Sequence, residues 1–496
     1  MSEKEDLKSK AIKGSIWSLV ENFSLQIVQF IVSVVLARIL EPKDYGLIAI
    51  TGIFTSISAA ITDGGFEKTV IQKKDPSQTQ ISTIFYMNVF LGAVMTGILI
   101  ALSPVIATFF NEPGLTPILQ VVSFSILLNS LGQMQQTLLM KELNFKRISY
   151  GKIASSWVSG TSGIFLALNG FGVWSLVYSS LVFQVTMLFF FWIKSSWYPK
   201  LNFSFNSVKS IVPYGLNILA SSIFFFIIQQ FNNFIVGKSY SKAELGLFNR
   251  GNKFPELITG IIQSVVLNMS LPLFSKLQDE TEQLHATVRK TNKIIAFISF
   301  PLLFLLLIKA EDITIFLFTE KWRGSIIFLQ FFCVIKIFEP FISIQRELIL
   351  AKGESKLLLK IFIFTSLVEI ILTLSFIQYG ILYIILSTFI SRIIQYSTYT
   401  IVSSSRLNKR WVNEFNWSKP YFFVTFLMSI TVISSELLIH YFALTIPLLL
   451  KLTTQFLIGV SAYIFFAFRF KLDEIALVYQ IKRMLLNKKK IVKDII

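Results

Sequence analysis

Runs of twenty or more residues with no charged side chain punctuate this chain, and they decide what it can fold into. Residues 81–110 and 173–193 contain no Asp, Glu, Lys or Arg at all. About 20 apolar residues rising 1.5 Å each cross the ~30 Å of hydrocarbon in a bilayer, whereas a helix at a soluble surface needs a polar face. The runs therefore read as membrane spans. Composition agrees: 53% of the residues are hydrophobic and 15% charged, where a soluble domain carries about 25% charged residues.

Apolar runs set against Gly, Pro and charge predict about fourteen helices. They cover residues 12–40, 45–63, 81–110, 116–140, 148–168, 173–193, 208–237, 243–276, 284–308, 325–350, 357–377, 381–404, 421–441 and 444–468. The formal charge of +18 sits mainly between these runs, as in Lys141, Lys146 and Arg147 or Arg406, Lys409 and Arg410. There it would face anionic headgroups, so membrane lipids and not nucleic acid are the expected partners. With the N-terminus in the cytoplasm, about 33 of the 46 Lys and Arg fall on the cytoplasmic side and about 6 outside, so both termini are expected to be cytoplasmic. The tail from residue 472 to 486 has an apolar edge that suits either a headgroup surface or a plain solvated helix.

Catalytic and metal chemistry find little material. The single Cys333 cannot form an intrachain disulfide and suits a small apolar helix position, and His285 and His440 are too far apart in sequence to suggest a ligand set. No metal, no cofactor and no enzyme is expected, since no Walker loop, nucleophile elbow or HExxH helix occurs.

An internal repeat organises the chain. VLARILEPKDYGL (35–47) and IVGKSYSKAELGL (235–247) pair Arg38 with Lys238, Asp44 with Glu244, Gly46 with Gly246 and Leu47 with Leu247. The competing explanation is chance similarity between apolar segments. Taken as a repeat, it gives two six-helix sets, residues 1–200 and 201–404, in the same orientation about an axis along the membrane normal. A loop (405–419), two further transmembrane helices (420–468) and a basic tail (469–496) follow. The expected fold is thus all-α and polytopic, two six-helix bundles plus a C-terminal pair.

Polar stripes recur on corresponding helices. Asn22, Gln26 and Gln29 share a face of the first helix with Glu21 beside it, Gln229 and Asn233 mark the seventh, and Asn252 and Glu256 mark the eighth, with Arg250 and Lys253 alongside. They would line a substrate cavity or hydrogen-bond neighbouring helices, the latter worth ~0.6 kcal/mol in a membrane. Charge inside spans is costlier, at least ~2.5 kcal/mol at a helix centre. Arg250, Lys253 and Arg392 suit an anionic ligand such as a diphosphate. Lys336 with Glu339 and Lys253 with Glu256 could instead neutralise each other. Glu21, Asp63 and Glu369 are candidates for coupling transport to protons or sodium, and Asp63 beside Gly64 and Gly65 would equally suit a loop or capping role.

The segments LARILEPKDYGLIAI (36–50), ITDGGFEKTVIQKKD (61–75), LLMKELNFKRIS (138–149), FIVGKSYSKAELGLFNRGNKFPE (234–256) and LPLFSKLQDE (271–280) resemble the Wzx-type polysaccharide flippases. These form a branch of the multidrug/oligosaccharidyl-lipid/polysaccharide exporter superfamily. The resemblance implies a V-shaped pair of six-helix bundles working by alternating access in a bacterial cytoplasmic membrane. The implied substrate is an undecaprenyl-diphosphate-linked oligosaccharide, carried from the inner to the outer leaflet. Polysaccharide polymerase and chain-length proteins are the expected protein partners. The rival readings are a multidrug or cation antiporter, which would want an acidic and aromatic cavity, and a membrane glycan polymerase or ligase, which would want a larger outer loop than residues 309–324 provide.

Overall fold

A computed structural model describes residues 24–63, 66–73, 75–193, 195–442 and 447–475, and every structural statement concerns these. The described residues are helical with short connections. In order the helices are α1 (Ser24–Ile39), α2 (Pro42–Asp63), α3 (Phe66–Gln72), α4 (Gln78–Phe109), α5 (Leu115–Lys141), α6 (Phe145–Leu168), α7 (Val173–Trp192), α8 (Phe205–Ser239) and α9 (Lys242–Lys276). There follow α10 (Thr281–Ile308), α11 (Ala310–Phe318), α12 (Ile326–Lys336), α13 (Glu339–Ala351), α14 (Ser355–Phe376), α15 (Ile381–Arg406), α16 (Lys419–Tyr441) and α17 (Leu448–Arg469).

Ten of the described helical stretches are long and apolar enough to cross a membrane. The other four of the predicted fourteen also carry helix. The described part of α1 is short, and α6, α8 and α9 are long but diluted by the Ser, Asn, Gln and charged residues of their polar faces. Bulky apolar side chains stand outward, with Phe90, Phe165, Phe189, Leu437 and Phe465 each more than 60% exposed. Such a surface is at home among lipid tails, because no water is there to be ordered by it.

One predicted helix is two. Residues 325–350 divide into α12 and α13 because Pro340 has no N–H for the carbonyl of Lys336 and its ring would clash with that carbonyl. The link 309–324 contains α11 and leads into a 3₁₀ turn from Glu320 to Ser325. There Arg323 is bonded to Glu320 at 2.7 Å and Glu311 at 2.8 Å.

The chain forms two compact units, Met1–Asn249 and Arg250–Ile496. In the first, α4 lies along α5 and α6 along α7, and α8 packs on α2, α3 and α4. The short α3 is held by an aromatic core, in which Phe66 and Val70, four apart and so on one face, pack with Phe85, Met134 and Trp197. In the second unit the core is built by α10, α13, α15, α16 and α17, around Val288, Phe341, Tyr399, Val424, Met428 and Tyr463. The start of the tail joins it: Leu472 and Glu474 are buried, and the Tyr421 hydroxyl donates to Glu474. The rest of the predicted tail helix, from residue 476, lies outside the described residues.

Candidate functional site

The repeat is visible in the first unit as a pair of matched helix starts. Pro42 opens α2, with Asp44 two residues on accepting from the Glu41 N–H at 3.0 Å. Lys242 opens α9, with Glu244 accepting from the Ser241 N–H at 2.9 Å and hydroxyl at 2.8 Å, while the Ser241 hydroxyl accepts from the Glu244 N–H at 3.2 Å. Asp44 and Glu244 thus return to the cap from the same position, the arrangement of a capping box. The two starts also meet. A Cβ on Gly46 would stand 1.8 Å from the carbonyl oxygen of Lys242, and a Cβ on Gly246 would stand 1.9 Å from that of Pro42. Each glycine touches the repeat counterpart of the other's neighbour, so the contact is reciprocal. It binds α2 to the first turns of α9 at a distance only glycine permits.

The predicted polar residues of the first unit take different surroundings. On α1, Gln26 is half-buried with its Oε1 buried and without a hydrogen-bond partner among the described residues, and Gln29 is exposed. Glu21 and Asn22 lie outside the described residues. On α8, Gln229 is exposed, and half-buried Asn233 donates to Gln230 at 2.9 Å.

In the second unit Arg250 is 5% exposed, its guanidinium 4.6 Å from the Phe318 ring centre and 4.8 Å from that of Trp322. It is clamped by aromatic faces, which attract a cation through their quadrupoles. Lys253 and Glu256 pair at 3.5 Å with each side chain about half exposed, and Asn252 is half-buried with its Oδ1 buried and unsatisfied. Arg392 on α15 donates from Nη1 to Gln395 at 2.6 Å, and its Nη2 lies 3.9 Å from the Glu369 carboxylate on α14. The structure therefore joins a candidate for the ligand with a candidate for coupling, two residues the sequence kept apart. Lys336 and Glu339 pair at 2.7 Å across the break between α12 and α13.

Residues 35–327, more than half of the chain, match the family described as polysaccharide biosynthesis protein. The chain belongs to that family. Among its relatives, the lipopolysaccharide biosynthesis protein WzxC of Escherichia coli (strain K12) is 25% identical over 366 residues, 73% of this chain and 74% of that one. The teichuronic acid biosynthesis protein TuaB of Bacillus subtilis (strain 168) is 23% identical, covering 71% and 73%. The succinoglycan biosynthesis transport protein ExoT of Rhizobium meliloti (strain 1021) is 22% identical, covering 62% of each. In fold, the chain is similar to the lipid II flippase MurJ in an inward closed conformation, with a TM-score of 0.74 at 17% identity, covering 93% of this chain and 99% of that one. An inward-facing multidrug resistance MATE transporter gives 0.60 at 15%, covering 78% and 98%. At such identities these structures show the fold alone.

Two features of the first unit escaped the sequence reading. A cleft of about 200 Å³ among α5, α6 and α7 presents Asn129, Gln136, Lys152 and Gln184 in otherwise apolar walls. At the end of α2, Asp63 accepts from Gln133 Nε2 at 2.8 Å, and Glu67, four residues on in α3, is buried with Asn88, Gln133 and Thr137 around it. In the sequence Glu67 is one more charge, beside Lys68, in the charged connection between two spans.

Proposed function

We propose that the chain carries an undecaprenyl-diphosphate-linked oligosaccharide from the inner to the outer leaflet of a bacterial cytoplasmic membrane by alternating access, for the assembly of a surface polysaccharide. The observation that carries the reading is the breadth of the relatives. Proteins named for lipopolysaccharide, teichuronic acid and succinoglycan each align with well over half of this chain. Different glycans with one protein scaffold favour a substrate whose shared part is the lipid and its diphosphate. Arg250, Lys253 and Arg392 are the cations we assign to that anionic part, with Gln26, Gln29, Asn22, Gln229, Asn233, Asn252 and Glu256 as polar lining and Glu21, Asp63 and Glu369 as coupling acids. The two six-helix sets, 1–200 and 201–404, are the moving halves of this scheme. Both termini then lie in the cytoplasm, and the polymerase and chain-length proteins act on the delivered product.

Purified protein in liposomes containing a fluorescent lipid-linked oligosaccharide tests this directly. The label should pass between leaflets, reaching a membrane-impermeant quencher. Arg392→Ala should slow the passage at unchanged expression, because Gln395 of α15 still reaches Thr365 of α14 at 3.5 Å. Unchanged passage in the combined Arg250→Ala, Lys253→Ala and Arg392→Ala variant removes the cationic role. A wild-type protein that moves an organic cation but no lipid-linked sugar replaces the flippase reading with drug export.

A further inference from the structure

We propose that Glu67 is a proton-binding site within the first compact unit, the proton lying on its carboxyl group between Oε2 and the hydroxyl of Thr137. The hydrogen-bond inventory argues for it. Thr137 Oγ1 stands 2.9 Å from Glu67 Oε2 and 3.1 Å from the carbonyl oxygen of Gln133. A hydroxyl has one hydrogen and can donate to only one of two acceptors. With Glu67 ionised, one of these contacts has no proton in it. With Glu67 protonated, the carboxylic O–H donates to Thr137 and Thr137 donates to the Gln133 carbonyl, so every contact holds one hydrogen. The other oxygen, Oε1, accepts from Asn88 Nδ2 at 2.8 Å. Asn88 is fully buried and its Oδ1, like Oε1 of Gln133, is buried and unsatisfied among the described residues, so acceptors beside the carboxyl already go without a hydrogen.

The charges in view point the same way. From α2 the group facing Glu67 is another carboxylate, Asp63. The described part of α4 carries no acid, Lys or Arg, and its Tyr86 sits in the aromatic cluster. From α5 comes Lys141, but its Nζ donates to the carbonyls of Val70 at 3.0 Å and Lys73 at 2.7 Å. Lys209 of α8 and, in the connection before it, Tyr198 and Lys200 are exposed. Burial, reinforced by Asp63 and opposed by the donors Thr137, Asn88 and Gln133, pushes the Glu67 carboxyl up to about 8. The site is therefore protonated below that value and ionised above it. Ionisation places a second buried negative charge beside Asp63, where α3 is held to α4 and α5 through this carboxyl, the Phe66 and Val70 contacts and the Lys141 ammonium on the Val70 carbonyl. If the chain is a transporter, and this step rests on that reading, proton release at Glu67 loosens α3 from its neighbours and makes transport depend on pH.

Infrared difference spectra of the full chain in lipid nanodiscs, recorded across pH, test the site without any substrate. The carbonyl stretch of a protonated carboxylic acid should persist to about pH 8, vanish in Glu67→Gln, and disappear at lower pH in Asp63→Asn, where the neighbouring charge is gone. A band lost by pH 6 in the wild type, or one surviving unchanged in Glu67→Gln, overturns the proposal. Flipping in liposomes then reads the coupling. The wild-type rate should change between pH 7 and 9, while Glu67→Gln, permanently neutral, should give a flat profile. A wild-type profile retained in Glu67→Gln overturns the coupling. Absence of flipping by the wild type at every pH would sink the transport reading, and the spectra would still decide the protonation.

Discussion

Gly46 and Gly246 leave no room for a methyl group, because what each would meet is main chain that cannot rotate aside. The obstructing atoms are the carbonyl oxygens of Lys242 and Pro42, under 2 Å from the added carbon in both cases. To accommodate it, α2 and the start of α9 must separate, taking with them the neighbouring cation contact in which Lys242 Nζ donates to the Gly237 carbonyl at 2.8 Å and lies 5.5 Å from the Phe110 ring centre. Overpacking of this kind costs about 1–3 kcal/mol. Gly246→Ala should therefore lower the apparent melting temperature of detergent-purified protein by several degrees. Gly260→Ala, on the same helix but with nothing within 4 Å of the added carbon, should leave it unchanged or raised. Equal effects from the two substitutions would mean that helix propensity and not close approach governs these positions.

At the scale of elements, α10, α11, α16 and α17 are tied by alternating charge. Lys309 Nζ lies 2.5 Å from Glu436 and 3.6 Å from Asp312, and Lys451 lies 2.8 Å from Glu436 and 3.2 Å from Asp312. Glu436→Gln removes the shared anion and leaves Lys309, 6% exposed at its side chain, with the longer contact alone. Breaking a buried pair costs several kcal/mol, and the partial exposure of Glu436 reduces this to about 1–3 kcal/mol. A lower melting temperature should result, largely recovered by adding Lys309→Leu, and a purely additive double variant would show that the pair is not coupled. Of this network only the Lys309–Asp312 contact, at three-residue spacing, lies within local reach of the sequence, since Lys309 and Glu436 are 127 residues apart. What the sequence does reveal is whatever is encoded within a turn or two: the apolar runs, and the Lys253–Glu256 and Lys336–Glu339 pairs at three-residue spacing. The aromatic clamp on Arg250, the approach of Arg392 to Glu369 and the surroundings of Glu67 all need partners from other helices. Glu67 takes its own from 21 and 70 residues away. The division of α12 from α13 is a local signal of another kind, a Pro within a predicted helix, whose apolar flanks mask the break.

At the scale of the whole molecule, α16 and α17 read from sequence as two additional helices, yet in the second unit they belong to the core. Val424, Met428, Val432, Tyr463 and Ala467 are buried in the same cluster as Leu305 and Phe341. The rings of Tyr463 and Phe422 stand 5.4 Å from Phe297 and 5.7 Å from Phe304, and a Cβ on Gly459 would lie 2.6 Å from Leu305. Removing the pair exposes apolar surface, but to lipid tails, which solvate it nearly as well as Leu does. The cost of truncation must then come from lost packing and, above all, from Lys309 and Asp312 deprived of Glu436 and Lys451. A chain ending at residue 409 should melt well below the full chain in nanodiscs, and Lys309→Leu with Asp312→Leu should return a large part of the difference to the truncated chain while destabilising the full one. An unchanged melting temperature on truncation would make the pair a separate appendage. A loss that the double substitution does not touch would assign the attachment to side-chain packing.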